Sequence, residues 1–274
     1  MGEYRIKSIG DAAQLGGKLT KSWFRGHSKE YGELLPKLFR PPYHDPVHDD
    51  WRPDLELRII EEFKRHATLV AGMQLPQPGD KMGWLCVLQH YGTPTRILDW
   101  SANVLVALYF AVASNPSDDG ELWALLPWAL NGKAGTGYGI PITEESMQVK
   151  FMLSQPYYSG ESQTLADEIG LKEPVPCPIA IAPTVMFPRM AVQASTFTIH
   201  RPPGEGQTIQ EALTDAKYLV RYVIPASSKR KVLDNLHALG ISRFHLFPDL
   251  QGLSSRIERL AAEIAYTSPE PPRF

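Results

Sequence analysis

The sequence predicts an α+β protein with mixed or antiparallel sheets flanked by helices. Three observations carry that expectation. The runs Glu121–Leu126 (ELWALL) and Lys217–Pro225 (KYLVRYVIP) have the apolar and aromatic composition of strands. The run Val104–Ala113 is apolar and carries no charge, so it reads as a buried helix. Candidate strands and helices follow one another at hairpin-scale spacing, without the regular βαβ alternation of a doubly wound sheet.

Taken in order, residues 4–9 (YRIKSI) alternate and read as a short strand, and Asp11–Leu19 as a helix that Gly16-Gly17 weakens or ends. Trp23-Phe24 favour a strand, and residues 30–53 an irregular segment rich in Pro, His and Asp. Apolar residues at 55, 59, 60, 63, 67 and 70 have helical spacing, with Asp54 as a cap. Residues 72–80 are a loop, and Trp84–Gln89 leads into the central stretch. Ile97-Leu98 read as a short strand ending at Asp99-Trp100-Ser101, and Asn103 or Ser101 caps the apolar helix. Residues 115–120 form a turn. Residues 127–178 hold no strong pattern and are expected to form a Gly/Pro-rich loop or insert. Val185–His200 suggests a turn feeding a strand, and residues 201–207 a loop. Lys229–Leu239 reads as a helix ending at Gly240, Ile241–Phe247 as a strand, and Leu253–Tyr266 as the terminal helix before a Pro-rich tail. The expected organisation is a single domain over 1–274.

The chain has 274 residues, 43% hydrophobic and 21% charged, with a net charge of −2. That balance supplies no overall basic field for nucleic acid. Cys86 and Cys177 are too few for a zinc site or a disulfide scaffold, and a reducing cytoplasm is the simple expectation. No signal peptide and no membrane span is visible. His44 and His48 with Asp45, Asp49 and Asp50 invite a metal hypothesis, but their spacing matches no metal signature, so no metal is expected. Gly135-Thr136-Gly137-Tyr138-Gly139 lacks the spacing and strand–turn–helix context of a dinucleotide loop.

The chemistry concentrates in Gln89–Ser101, QHYGTPTRILDWS, at the mouth of the apolar helix. Gln89, His90, Tyr91, Thr93, Thr95, Arg96, Asp99 and Ser101 all bond or titrate. Arg96 and Asp99 either form an ion pair that ties a turn or serve a ligand. Arg25, followed by Gly26, is either a structural arginine or a planar donor fork for phosphate or carboxylate where the backbone can come close. His90 is either catalytic or a core histidine. Gln193 either faces a cavity or caps a turn.

Trp23-Phe24-Arg25-Gly26-His27 resembles the signature of the FRG domain, a largely bacterial and phage-related family named for its Phe-Arg-Gly motif. The resemblance continues through Leu35–Arg40, Gln89–Ser101, Ala107–Ala111, Gln193–Phe197 and Leu246–Leu253, with Asn103-Val104 where an Asn-Pro pair is more usual. It implies a place in phage defence or toxin–antitoxin conflict. A more distant likeness is to ADP-ribosyltransferases, which implies a split β-sandwich and NAD as a substrate. In that frame Arg25, His90, Asp99 and Gln193 would be catalytic. Arg25, Gly26, Tyr91, Thr93, Thr95, Arg96 and Ser101 would bind the nucleotide, with Arg25 and Arg96 on its phosphates and His90 and Tyr91 on ribose or nicotinamide. The frame lacks its late-strand glutamate, since Gln193 is no carboxylate, so Asp99, Glu161 or Glu168 would supply the charge. The implied partners are a protein or nucleic-acid acceptor and an antitoxin or other regulatory protein. The alternatives are a non-catalytic nucleotide sensor with the same pocket and a hydrolase or nuclease built on His90 and Asp99.

Overall fold

The computed structural model describes residues 4–44, 54–69, 75–136, 146–154, 162–202 and 204–267, with side chains described as far as 261. The elements are β1 (Tyr4–Arg5), α1 (Ile9–Lys18), β2 (Trp23–His27), α2 (Asp54–Ala67), α3 (Lys81–His90), β3 (Ile97–Ser101), α4 (Val104–Val112), β4 (Gly120–Leu125), α5 (Pro127–Lys133), α6 (Met147–Leu153), α7 (Ser162–Ile169), β5 (Ile179–Ile181), α8 (Pro188–Val192), β6 (Ser195–Ile199), α9 (Ile209–Ala212), β7 (Leu219–Ile224), α10 (Ala226–Ala238), α11 (Arg243–Leu246) and α12 (Leu250–Thr267). The fold is α+β, as the mixed spacing predicts.

All seven strands join one mixed sheet in the order β1-β7-β4-β2-β3-β6-β5. Only the β1–β7 pair is parallel among them. The sheet has a seam. β2 and β4 pair along their lengths from Trp23↔Leu125 to His27↔Glu121, and β3 pairs with β6 from Ile97↔Ile199 to Ser101↔Ser195. Between these two halves β2 and β3 share one register pair, Phe24↔Ser101.

The central helix α4 explains the alternation of Trp23-Phe24-Arg25-Gly26-His27. Side chains on a strand alternate between faces. Phe24 packs with Leu108, Val106 and Ala111 of α4, with Ile6, and with Val232 and Leu236 of α10. Gly26 shares that face, and a Cβ there would lie 1.8 Å from the Ala107 carbonyl oxygen and 2.7 Å from the Ala111 amide nitrogen. Gly26 therefore lets the backbone of α4 rest on β2. On the opposite face Trp23, Trp123 and Leu125 join the larger core with Leu98, Trp100, Phe151 and Phe187. Arg25, His27 and Glu121 share this second face by register. Asn103 caps α4, its side-chain oxygen accepting from the Leu105 amide 2.9 Å away.

Several expected elements differ. Residues 4–9 give two strand residues, after which Ser8 caps α1 through a capping box with Asp11. The helix runs through Gly16-Gly17 because Gly16 sits against Val104, where a Cβ would come 2.8 Å from a methyl. Ile241–Phe247, expected as a strand, contains helix α11, since the Ser242 hydroxyl accepts from the His245 amide and starts a helical turn. Residues 127–178 contain α5, α6 and α7, whose buried faces include Leu130, Phe151 and Ala166. The described part of the segment holds short helices with buried faces, a period too brief for a sequence pattern to show.

Lys229 of α10 is fully buried. Its ammonium donates to the carbonyls of Ser28, Ser114, Asn115 and Asp118 at 2.7–3.1 Å. Four carbonyls from two chain segments thus hold α10 to the end of β2.

Candidate functional site

Where β2 leaves β3, the gap is filled by Arg25. Its Nη1 donates to the Asp99 backbone carbonyl at 2.6 Å, and its Nε donates to His27 Nε2 at 3.0 Å. His27 in turn donates from Nδ1 to Glu121 Oε2 at 3.2 Å. The arginine proton requires His27 Nε2 to be an acceptor, so the imidazole is neutral with its proton on Nδ1. Burial drives the His27 pKa below its usual value, against the pull of Glu121. Glu121 also accepts from Trp123 Nε1 at 3.3 Å and lies 3.2 Å from Arg221 Nη1. Burial raises the carboxyl pKa, and the hydrogen bonds of His27 and Trp123 with the charge of Arg221 more than reverse that, so Glu121 stays ionised. Arg221 reaches Glu30 at 2.9 Å.

On the other side of Arg25, His200 is buried and its pKa is pushed down to about 3, by burial first and by Arg25 second. Trp100 Nε1 donates to the Thr198 hydroxyl at 3.1 Å, and that hydroxyl shares a hydrogen bond with His200 Nε2 at 2.8 Å. Two neutral histidines therefore flank a buried guanidinium. Burial lowers the Arg25 pKa to about 10, which keeps it charged near neutrality. Asp99 Oδ2, 4.0 Å away, is the carboxylate in ion-pair range of Arg25 among the described residues.

Asp99 is half-exposed, and it is the point where the site meets solvent. Gln89 Nε2 donates to Asp99 Oδ2 at 2.5 Å, and the buried Thr95 hydroxyl donates to Gln89 Oε1 at 2.5 Å. The chain Thr95–Gln89–Asp99 fixes the carboxylate from α3. Arg40 and Arg189 are both half-buried, and burial lowers the pKa of each while Asp99 opposes the shift. Asp99 thus acts on three arginines, pairing at 4.0 Å with Arg25 and at longer range with Arg40 and with Arg189, which Asp249 also faces. Arg189 also donates to the His90 carbonyl at 3.0 Å and lies over the Phe247 ring at 4.3 Å. The His90 ring stacks on Phe187 at 4.6 Å, and its pKa is lowered by burial and by Arg189. Tyr31 meets the His27 ring edge-on at 5.2 Å.

The structure brings Arg25 and Asp99 together, with His90 held nearby through Arg189. Other predicted residues lie elsewhere or do structural work. Arg96 is buried against Glu56 of α2, which takes its Nε and Nη2, while Nη1 donates to the Met152 carbonyl at 3.0 Å. It neither pairs with Asp99 nor opens onto the seam. Gly26 is filled by α4 and is not a place where a ligand approaches. Thr95 is buried behind Gln89. Ser101 donates to the Gln193 carbonyl at 2.7 Å and holds the amide of Asn103, tying β3 to the turn before β6. The Gln193 side chain donates to the Leu246 carbonyl at 2.9 Å, and Ala194 follows it at φ 46°. Tyr91 is exposed beside Gly92, whose carbonyl accepts from Lys37 at 2.7 Å, and Thr93 is half-buried. Glu168 is exposed on α7, while Glu161 and residues 45–50 of the His/Asp run lie outside the described residues. Among the described residues no group of three His, Cys, Asp or Glu side chains is placed to hold a metal ion. No described helix is long and apolar enough to cross a membrane.

Sequence reasoning missed His27, Glu121 and His200, and left Gln89, Arg40 and Arg189 without roles. His27 and Gln89 were within reach, because each lies in a motif already singled out. Glu121 looked like the polar start of an ordinary strand.

In comparison with known proteins, residues 20–120 match the family model described as FRG domain, so an FRG domain is present over that segment. No curated protein and no solved structure matches the chain. The matched segment contains β2, α3, β3 and α4, the elements that carry Arg25, Gln89 and Asp99.

Proposed function

We propose that the seam of this FRG domain is a nucleotide site that takes NAD as a substrate. The observation behind the proposal is the cluster at Asp99: a half-exposed carboxylate 4.0 Å from buried Arg25, with half-buried Arg40 and Arg189 also within its influence. Against the carboxylates of Asp99 and Asp249, three guanidinium groups leave an excess of positive charge in a poorly solvated place. A pyrophosphate has the charge and the oxygen geometry to satisfy planar guanidinium donors. Arg189 and Arg40, the less buried pair beside Arg25, would take the phosphates, and Arg25 would hold the Asp99 backbone in place.

NAD also carries a positive nicotinamide ring, and breaking its bond to ribose builds positive charge on the sugar. The bond from ribose C1′ to the ring nitrogen breaks, its electron pair leaves with neutral nicotinamide, and the sugar cation takes a nucleophile from water or an acceptor, which releases a proton. A fixed carboxylate stabilises such charge where it develops. Asp99, oriented by Gln89, would supply that carboxylate, and the stacked His90–Phe187 pair would take the ring.

A second reading has its own observation. Asp99 is already partly neutralised by its arginines, and Gln193 is occupied with Leu246, so the site would bind a nucleotide as a sensor without turning it over.

One experiment separates the two. Purified protein is incubated with NAD, and nicotinamide and ADP-ribose products are read by mass spectrometry for wild type, Arg25→Ala and Asp99→Asn. Release in wild type that falls at least a hundredfold in Asp99→Asn supports turnover. Heat stabilisation by NAD with no release supports the sensor. Neither release nor stabilisation would sink both.

A further inference from the structure

A groove of about 880 Å³ lies away from the seam, between α4, α10, α11 and α12. Its character runs against the chain as a whole. The protein has a net charge of −2, yet none of the described residues lining this groove is acidic. Arg243 and Arg256 are both exposed, and neither guanidinium has a carboxylate partner among the described residues. Instead each rests on an aromatic ring, Arg243 over Phe247 at 5.2 Å and Arg256 over Phe244 at 5.5 Å. Stacking holds the two planar donor forks in position and leaves their edges open for oxygen acceptors.

The rest of the groove wall sets apolar Val192, Leu233 and Leu260 beside polar His237, His245 and Arg259. Outside the groove, Leu253 and Ile257 extend an apolar rim from Leu260 along α12, and the three are 38%, 54% and 49% exposed. Their spacing of four and three residues keeps them on one side of the helix. Gly252 fixes α12 against the end of α11, since a Cβ there would lie 2.0 Å from the Phe247 carbonyl oxygen.

We infer that this groove docks an acidic amphipathic helix from a partner protein. Its carboxylates would meet Arg243 and Arg256, and its leucine-type side chains would cover Leu260, Ile257 and Leu253. The two features together select this occupant. A nucleic-acid backbone would satisfy the arginines but leave the apolar stripe uncovered, and a purely apolar helix would leave both guanidinium groups facing nothing. The place also has a consequence for the seam. The Phe247 ring carries both Arg243, at 5.2 Å, and Arg189, at 4.3 Å. A partner that draws on Arg243 acts on the ring that supports an arginine of the candidate site.

The test uses the full chain and a fluorescein-labelled helical peptide of glutamate and leucine, with leucines at positions i, i+3, i+7 and i+10. An analogue with lysine for glutamate and a labelled single-stranded RNA are run beside it, and binding is read by anisotropy. The expected result is saturable binding of the acidic peptide alone, weakened at least tenfold in the double variant R243E/R256E and in Ile257→Asp, each checked for folding by circular dichroism. Binding of the acidic peptide that both variants leave unchanged overturns the site. Tighter binding of the RNA, lost in R243E/R256E, overturns the occupant. No saturable binding of any probe overturns the proposal. The peptide assay is run without NAD, so its outcome does not depend on whether NAD is bound or cleaved.

Discussion

Arg25 and Arg96 both come from motif stretches rich in polar residues, and both are withdrawn from water, but the molecule uses them in opposite ways. Arg96 is closed on every side: Glu56 takes two of its nitrogens and its own backbone amide, and the Met152 carbonyl takes a third nitrogen. Arg25 is held by neutral acceptors, the Asp99 carbonyl and a neutral histidine, with its carboxylate 4.0 Å off and half in solvent. A guanidinium that has met its counter-ion is part of the scaffold. One held in place without full neutralisation keeps attraction for an anion from outside. The difference lies in the partners and not in the arginines.

The largest expected effect tests the closed half of that comparison. Glu56→Ala leaves the Arg96 charge buried and unpaired, and it should cost roughly 3–5 kcal/mol in urea melts. A loss below about 1 kcal/mol would show that water reaches Arg96 and that the pair is not closed.

Arg25→Ala tests the open half and should be milder. It removes two hydrogen bonds from a charged donor and leaves the Asp99 carbonyl and His27 Nε2 without it, a loss of roughly 1–2 kcal/mol. The variant should stay folded and lose NAD-dependent heat stabilisation. If it unfolds as readily as Glu56→Ala, Arg25 is scaffold and the contrast collapses.

The smallest effect is a pH dependence confined to the seam. His200 has a folded pKa of about 3 and the pKa of His27 is lowered, while an unfolded histidine titrates near 6.5. Below that value the unfolded chain takes up protons that the folded chain refuses. The stability these histidines contribute is therefore fully present above about pH 6.5 and falls as pH drops towards 3, by at most about 1.4 kcal/mol per pH unit for each. His200→Gln should make urea-derived stability less steep between pH 6.5 and 5. An unchanged slope would mean that His200 is protonated in the folded protein.

Much of this architecture is written locally. The apolar run 104–113 could only be a buried helix, because no polar face exists to meet water. Phe24-Arg25-Gly26-His27 alternates as a strand must, and the polar stretch Gln89–Ser101 closes on itself through the Gln89–Asp99 hydrogen bond. The short elements were illegible for a physical reason. α8, α9 and α11 span four or five residues, too few to complete a hydrophobic period, and their caps and tertiary contacts decide them.

The sequence by itself determined the fold class, the strand that presents Arg25 and the polar segment that presents Asp99, since each follows from side-chain periodicity within a few residues. Only the tertiary structure decided which partners those groups meet. Glu56 reaches Arg96 across forty residues, Glu121 reaches His27 across ninety-four, and Thr198 carries His200 to the other side of the seam. A charge's role depends on the counter-charge within a few ångströms, and the Coulomb energy that settles it reads distance in space. The linear order of residues carries no record of that distance until the sheet has closed.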